Sequence, residues 1–123
     1  MKPEYAHLQG FVGVVIHVMP EPCNQHIARQ ILLGLEEEQV PYQVQPVEYK
    51  SVDALATAHQ ASLKSIFGVG ICISPDTVVL HYSRLSKNNP LLMVPIKTGE
   101  PKTYRILGQN AAKFIKGRPF DKI

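Results

Sequence analysis

Residues 11–18, FVGVVIHV, are apolar at nearly every position and rich in β-branched side chains, the pattern of a strand covered on both faces of a sheet. After a turn holding two prolines, Asn24 offers an N-cap, and Ile27, Ala28, Ile31, Leu32 and Leu35 recur at helical spacing as one apolar stripe. Pro41 stops that helix just after Glu36, Glu37 and Glu38. A second strand is predicted over 42–48. Ser51 then offers the N-cap of a second helix reaching Leu63, with Val52, Leu55, Ala56, His59 and Leu63 toward the core. Residues 67–73 form another run apolar on both sides. The Ser74-Pro75-Asp76-Thr77 turn leads directly into a strand over 78–82, and it is too short for a crossover, so these two strands must be antiparallel.

The remainder alternates between loop and structure. Residues 83–89 are polar and basic, 91–96 are a further apolar segment predicted as strand, and 97–102 are loop. A short last helix is predicted from Gly108, closed by Gly117 as C-cap with Pro119 beyond it. Residues 1–9 are a loose lead-in. The expectation is a single α/β domain over residues 1–123: a layered sandwich whose mixed sheet has a parallel β-α-β-α-β part and an antiparallel edge hairpin, with helices flanking it.

Composition narrows the function classes. A chain of 123 residues, 45% hydrophobic and 19% charged, is ordinary globular material with one buried core. Its net charge of +3 comes from scattered Lys and Arg rather than a concentrated stripe, so nucleic acid is a poor partner. Cys23 and Cys72 lie far apart with no ligand spacing, which fits a reduced intracellular protein. The first apolar run is too short for a signal peptide or a membrane span, and a cytoplasmic location is expected.

A search for catalytic chemistry finds none. The histidines His7, His17, His26, His59 and His81 share no metal-ligand spacing, and no serine or cysteine sits in a nucleophile motif. The Gly68-Val69-Gly70 triplet lacks the further glycine of a dinucleotide fingerprint and the Gly-Lys-Ser/Thr of a P-loop, and it fits a glycine-bearing central strand better than a small nucleotide-binding domain. The basic end, Lys113, Lys116, Arg118 and Lys122, fits lysines that complement a helix dipole, with a partner contact as the second reading.

One electrostatic oddity stands out. A helix C-terminus is partially negative, so three consecutive carboxylates there are misplaced, each by roughly 0.3–1 kcal/mol when exposed. Something outside the helix, such as a metal ion or a basic partner surface, is expected to offset them. At 100° per residue Arg29, Leu33 and Glu37 follow one another on the face opposite the stripe, an outward leucine one turn before a carboxylate. A docking surface and a merely solvated acidic end both fit that spacing.

Three segments together carry a resemblance: ILLGLEEEQVPY (31–42), GVGICIS with VVLHY (68–74 and 78–82), and GQNAAKFIKGRPF (108–120). They closely resemble the small subunit of diol dehydratase and glycerol dehydratase reactivases, in the right order and over most of the chain. The resemblance implies no enzyme. It implies the small subunit of a chaperone-like complex whose large subunit binds and hydrolyses ATP. Exchange of the small subunit with a related dehydratase subunit releases damaged cobalamin from an adenosylcobalamin-dependent dehydratase. It also implies that Glu37, the middle glutamate, reaches a Mg²⁺ or Ca²⁺ ion shared with the large subunit; the helical spacing sets Arg29 and Leu33 on the same face, and all three are expected at the partner interface. No catalytic residue and no cofactor of its own are implied, and association with a bacterial microcompartment is a family habit. Residues 1–9 and 20–24 align with nothing in that pattern. The competing expectation is a medium-subunit-like component of the dehydratase itself, against which stands the lack here of the additional N-terminal sequence such subunits carry.

Overall fold

The computed structural model describes residues 10–20, 22–47, 53–96 and 100–123, with the side chains of 22 and 23 left aside. Its elements run β1 (Val14–Val18), α1 (Pro22–Glu37), β2 (Tyr42–Pro46), α2 (Ala54–Leu63), β3 (Val69–Ile73), β4 (Thr77–Tyr82), β5 (Leu92–Pro95) and α3 (Pro101–Ile115). The five strands form one mixed sheet in the order β2-β1-β3-β4-β5. β1 pairs in parallel with β2 and β3, and β3-β4 and β4-β5 are antiparallel. The expected layered α/β fold, with its parallel part and antiparallel edge, is thus observed.

Alternation along the central strands separates two cores. Val14, Ile16, Val69, Ile71, Ile73, Val78 and Leu80 meet Ile27, Ile31 and Leu35 of α1 and Tyr104, Leu107 and Ala111 of α3 on one face. Cys72, Val79 and Met19 meet Ala58 of α2 on the other. Burial pushes the Cys72 thiol up to about 12, with the Asp53 charge adding to it, so this is a core side chain and not a nucleophile.

Close backbone approach sets how the helices sit. A Cβ on Gly70 would lie 2.2 Å from the Ser62 amide nitrogen, so α2 rests almost directly on β3 and buries small residues, Thr57, Ala58, Ala61 and Ser62. This corrects the expected phase of that helix: Leu63 is 59% exposed, because no large side chain fits beneath a helix this close to the sheet. The N-cap is Asp53, whose carboxylate accepts from the Leu55 and Ala56 amides. Ser51 and Val52, like residues 1–9 and the end of the second predicted strand, lie outside the described residues.

Two more expectations are corrected. Asn24 is no N-cap: α1 starts at Pro22, where a missing N–H costs nothing. The Asn24 side chain is fully buried and donates to the carbonyls of Met19 (2.9 Å) and Ile73 (3.4 Å). It therefore fills the crevice beyond the carboxyl ends of β1 and β3, where open α/β sheets take ligands. The last helix begins at Pro101 rather than Gly108. Its end is as expected: Gly117 has φ 70°, its amide donates to Phe114 O and that of Arg118 to Lys113 O, a Schellman ending. The tail then folds back, Asn110 bonding both backbone groups of Asp121 while Phe120 approaches Phe114.

Candidate functional site

The three glutamates at the end of α1 diverge. α1 closes with Gln39 in the left-handed region at φ 59°, its amide donating to Glu36 O and that of Val40 to Leu35 O. Glu36 accepts a 2.8 Å hydrogen bond from the Tyr42 hydroxyl on β2, and that bond raises the Tyr42 pKa by favouring the protonated phenol. Glu37 accepts from Arg105 Nε and Gln109 Nε2 of α3, both at 3.0 Å and both on Oε1. Lys116 Nζ donates to the Glu38 carbonyl at 2.6 Å and reaches its Oε1 at 3.4 Å.

The offset expected from outside the helix is thus found within the chain. α3 supplies the offset. Arg105 lies in the stretch 103–107, between the predicted loop and the predicted helix, to which the sequence pattern assigns no element, so its cation is not foreseen beside Glu37. With side chains 43% and 44% exposed, the Arg105–Glu37 pair contributes only about 0–1 kcal/mol. Lys116 acts on an unsatisfied helix-end carbonyl, and Lys113 pairs with Asp121. Both lysines thus have partners within the chain, and neither contact is to the carbonyls that end their own helix.

What makes these contacts close is the crossing of α1 on α3. A Cβ on Gly34 would stand 2.2 Å from Arg105 O and 2.9 Å from Gln109 N, and one on Gly108 would stand 2.2 Å from Ile31 O. The two backbones touch one helical turn before Glu37.

The expected trio is only partly brought together. Leu33 is half-buried and lines a groove of about 1030 Å³ between α1 and the edge strand β2, with Leu32, Glu36, Tyr42 and Val44. Arg29 is exposed on the crest between this groove and a smaller one beside Tyr104. Glu37 faces the α3 side, not directly outward as the helical wheel places it, though its carboxylate stays partly open and Oε2 has no hydrogen bond among the described residues. A wheel drawn relative to the sheet alone misses the second helix alongside.

Three histidines, His17, His59 and His81, have structural partners, whereas His26 is exposed and His7 lies outside the described residues. His81 is buried, its Nδ1 within reach of both the amide and the carbonyl of Tyr82 and its Nε2 meeting Lys87 O at 2.9 Å. His59 packs edge-on against it. His17 bonds Gln45 across the β1–β2 pair, and burial, then the Lys64 charge, lower its pKa. Among the described residues no three His, Cys, Asp or Glu side chains gather to hold a metal, and no helix is long and apolar enough to cross a membrane.

Comparison with known proteins matches this arrangement of elements. The profile described as dehydratase medium subunit matches residues 13–121. The chain belongs to the dehydratase medium-subunit family. Within it, the chain is 37% identical over 90 residues to a propanediol dehydratase-reactivating factor small subunit of Citrobacter freundii, covering 73% of this chain and 75% of that one. The corresponding Salmonella typhimurium small subunit is 34% identical over 108 residues, with 88% and 89% covered. Among solved structures, a diol dehydratase-reactivating factor complexed with ADP and Mg²⁺ superposes with a TM-score of 0.79 at 31% identity, covering 90% of this chain and 98% of that one. A glycerol dehydratase reactivase gives 0.81 at 27% identity, covering 90% and 97%. These named relatives are reactivating-factor small subunits and reactivases, which supports that role over a component of the dehydratase itself, and the reactivase resemblance of the sequence motifs holds.

Proposed function

We propose that this chain is the non-catalytic small subunit of an ATP-dependent complex that reactivates an adenosylcobalamin-dependent diol or glycerol dehydratase. ATP and ADP bind on the large subunit, and this chain works by leaving and re-forming an interface that a dehydratase subunit can take, so that damaged cobalamin escapes. The observation that carries the reading is similarity to reactivating-factor small subunits along 71–89% of their length.

In this reading Glu37 supplies one ligand to a Mg²⁺ or Ca²⁺ ion shared with the large subunit, and Arg29 and Leu33 flank that interface. The donor chemistry fits, since hard cations take carboxylate oxygen and Glu37 keeps one oxygen open. One carboxylate cannot hold such an ion alone, so most ligands must come from the partner and water. The work of this chain is therefore to present an aimed charge.

The test is reconstitution. The isolated chain should hydrolyse no ATP. Added with the large subunit, ATP and fresh cofactor, it should restore activity to an inactivated dehydratase. Recovery without it, or dehydratase activity on mixing it with the large and small dehydratase subunits, would overturn the assignment. Glu37→Ala should weaken Mg²⁺-dependent association with the large subunit.

A further inference from the structure

We infer that Arg105 and Gln109 are positioning residues that aim Glu37 at the shared divalent cation. The inference rests on the reading of Glu37 just given. Its own support is the way the carboxylate is held. An arginine that merely neutralises a glutamate commonly forks across both oxygens. Here Arg105 Nε and Gln109 Nε2, one turn apart on α3, converge on Oε1 alone, and Oε2 is left for a further ligand. The backbone that carries both donors is held in place, because Arg105 O and Gln109 N are the main-chain atoms against which Gly34 packs. A free glutamate samples many rotamers and gives up that freedom when it binds an ion. A glutamate already tied by two donors to a rigid neighbour has less to give up. Gln109 contributes this without charge, whereas Arg105 also places a cation near the ion site, so Gln109 is the cleaner probe.

The experiment measures association of the full-length chain with the reactivase large subunit while Mg²⁺ is titrated, with an EDTA baseline. Gln109→Ala should raise the Mg²⁺ concentration for half-maximal association by about threefold to tenfold, the loss of one intramolecular hydrogen bond, and leave affinity in EDTA unchanged. Arg105→Met should shift it in the same direction but by less, because losing the nearby cation partly offsets losing the donor. In a Glu37→Gln background, Gln109→Ala should change nothing, since the group it positions is gone. Thermal unfolding of each variant checks that it is folded. If Glu37→Gln abolishes the Mg²⁺ dependence and both α3 variants leave it within twofold of wild type, positioning is refuted and the role of Glu37 stands. If Glu37→Gln leaves the Mg²⁺ dependence intact, the underlying reading fails. An equal shift from Gln109→Ala in both backgrounds would mean that Gln109 touches the partner itself, which also refutes positioning.

Discussion

Substituting alanine for Gly34 or Gly108 should force α1 and α3 apart. At either position the new Cβ would sit 2.2 Å from a backbone carbonyl of the facing helix, with further backbone atoms of that helix close behind. Ordinary carbon–oxygen contact needs roughly 1 Å more than that, and both neighbours are helix backbone, which cannot rotate out of the way as a side chain can. Overpacking of this kind costs about 1–3 kcal/mol. A clash with rigid backbone belongs in the upper half of that range, and the alanine recovers about 0.8–1 kcal/mol of helix propensity, so the net destabilisation should be about 1–2 kcal/mol for Gly34→Ala, with a fall in Tm of roughly 3–10 °C for a domain of this size. Thermal unfolding followed by circular dichroism measures it. The double variant should cost less than the sum of the two singles, because the first alanine already opens the gap the second needs. A Tm equal to or above wild type for both single variants would refute the close crossing, and with it the account of why Arg105 and Gln109 reach Glu37.

Other consequences are local. Because the folded state holds the His17 pKa below its ordinary value through burial and the Lys64 charge, the unfolded chain binds more protons as pH falls below about 6.5. Stability contributed by neutral His17 should be complete above that pH and lost as pH drops toward the lowered folded pKa, and His17→Gln should flatten this limb in urea titrations at pH 5 to 7. Asn110→Ala removes both bonds to the Asp121 backbone from a fully buried position. It should destabilise by about 1–3 kcal/mol and speed proteolysis of the C-terminal tail, and a tail cleaved no faster than in wild type would contradict the clamp.

The strands were legible because their apolar runs are long, β-branched and punctuated by a clear turn at 74–77, and the hairpin direction followed from loop length alone. The helices were legible in existence but not in detail. The start of α3 was missed because Gly108 resembles a helix entrance, although Pro101 at the first position and Tyr104, Leu107 and Ala111 at helical spacing signal the earlier beginning. The phase of α2 was missed because large apolar residues were assumed to face inward, whereas Gly70 brings the helix so near that only small ones fit. Of the site, residue types were legible and directions were not. A helical wheel knows the sheet on one side of α1 and nothing of a helix lying beside it, so Arg105, Gln109 and Lys116 could not be placed against the glutamates.

That gap changes what the acidic run can mean. Glu36 turns to Tyr42 and the groove, Glu37 to the middle of α3, and Glu38 to Lys116 near the end of α3. Three carboxylates pulled to three sides cannot chelate one ion together, so the run is no metal site by virtue of its charge. It is also no electrostatic deficit awaiting a partner, since groups of this chain meet each glutamate. What distinguishes one of the three is constraint. Glu36 is held by a single phenol, and Glu38 chiefly through its backbone carbonyl. Glu37 is held by two donors anchored at a glycine-tight helix crossing. Preorganisation, not excess charge, is the property that makes a single carboxylate useful to an ion whose other ligands come from elsewhere.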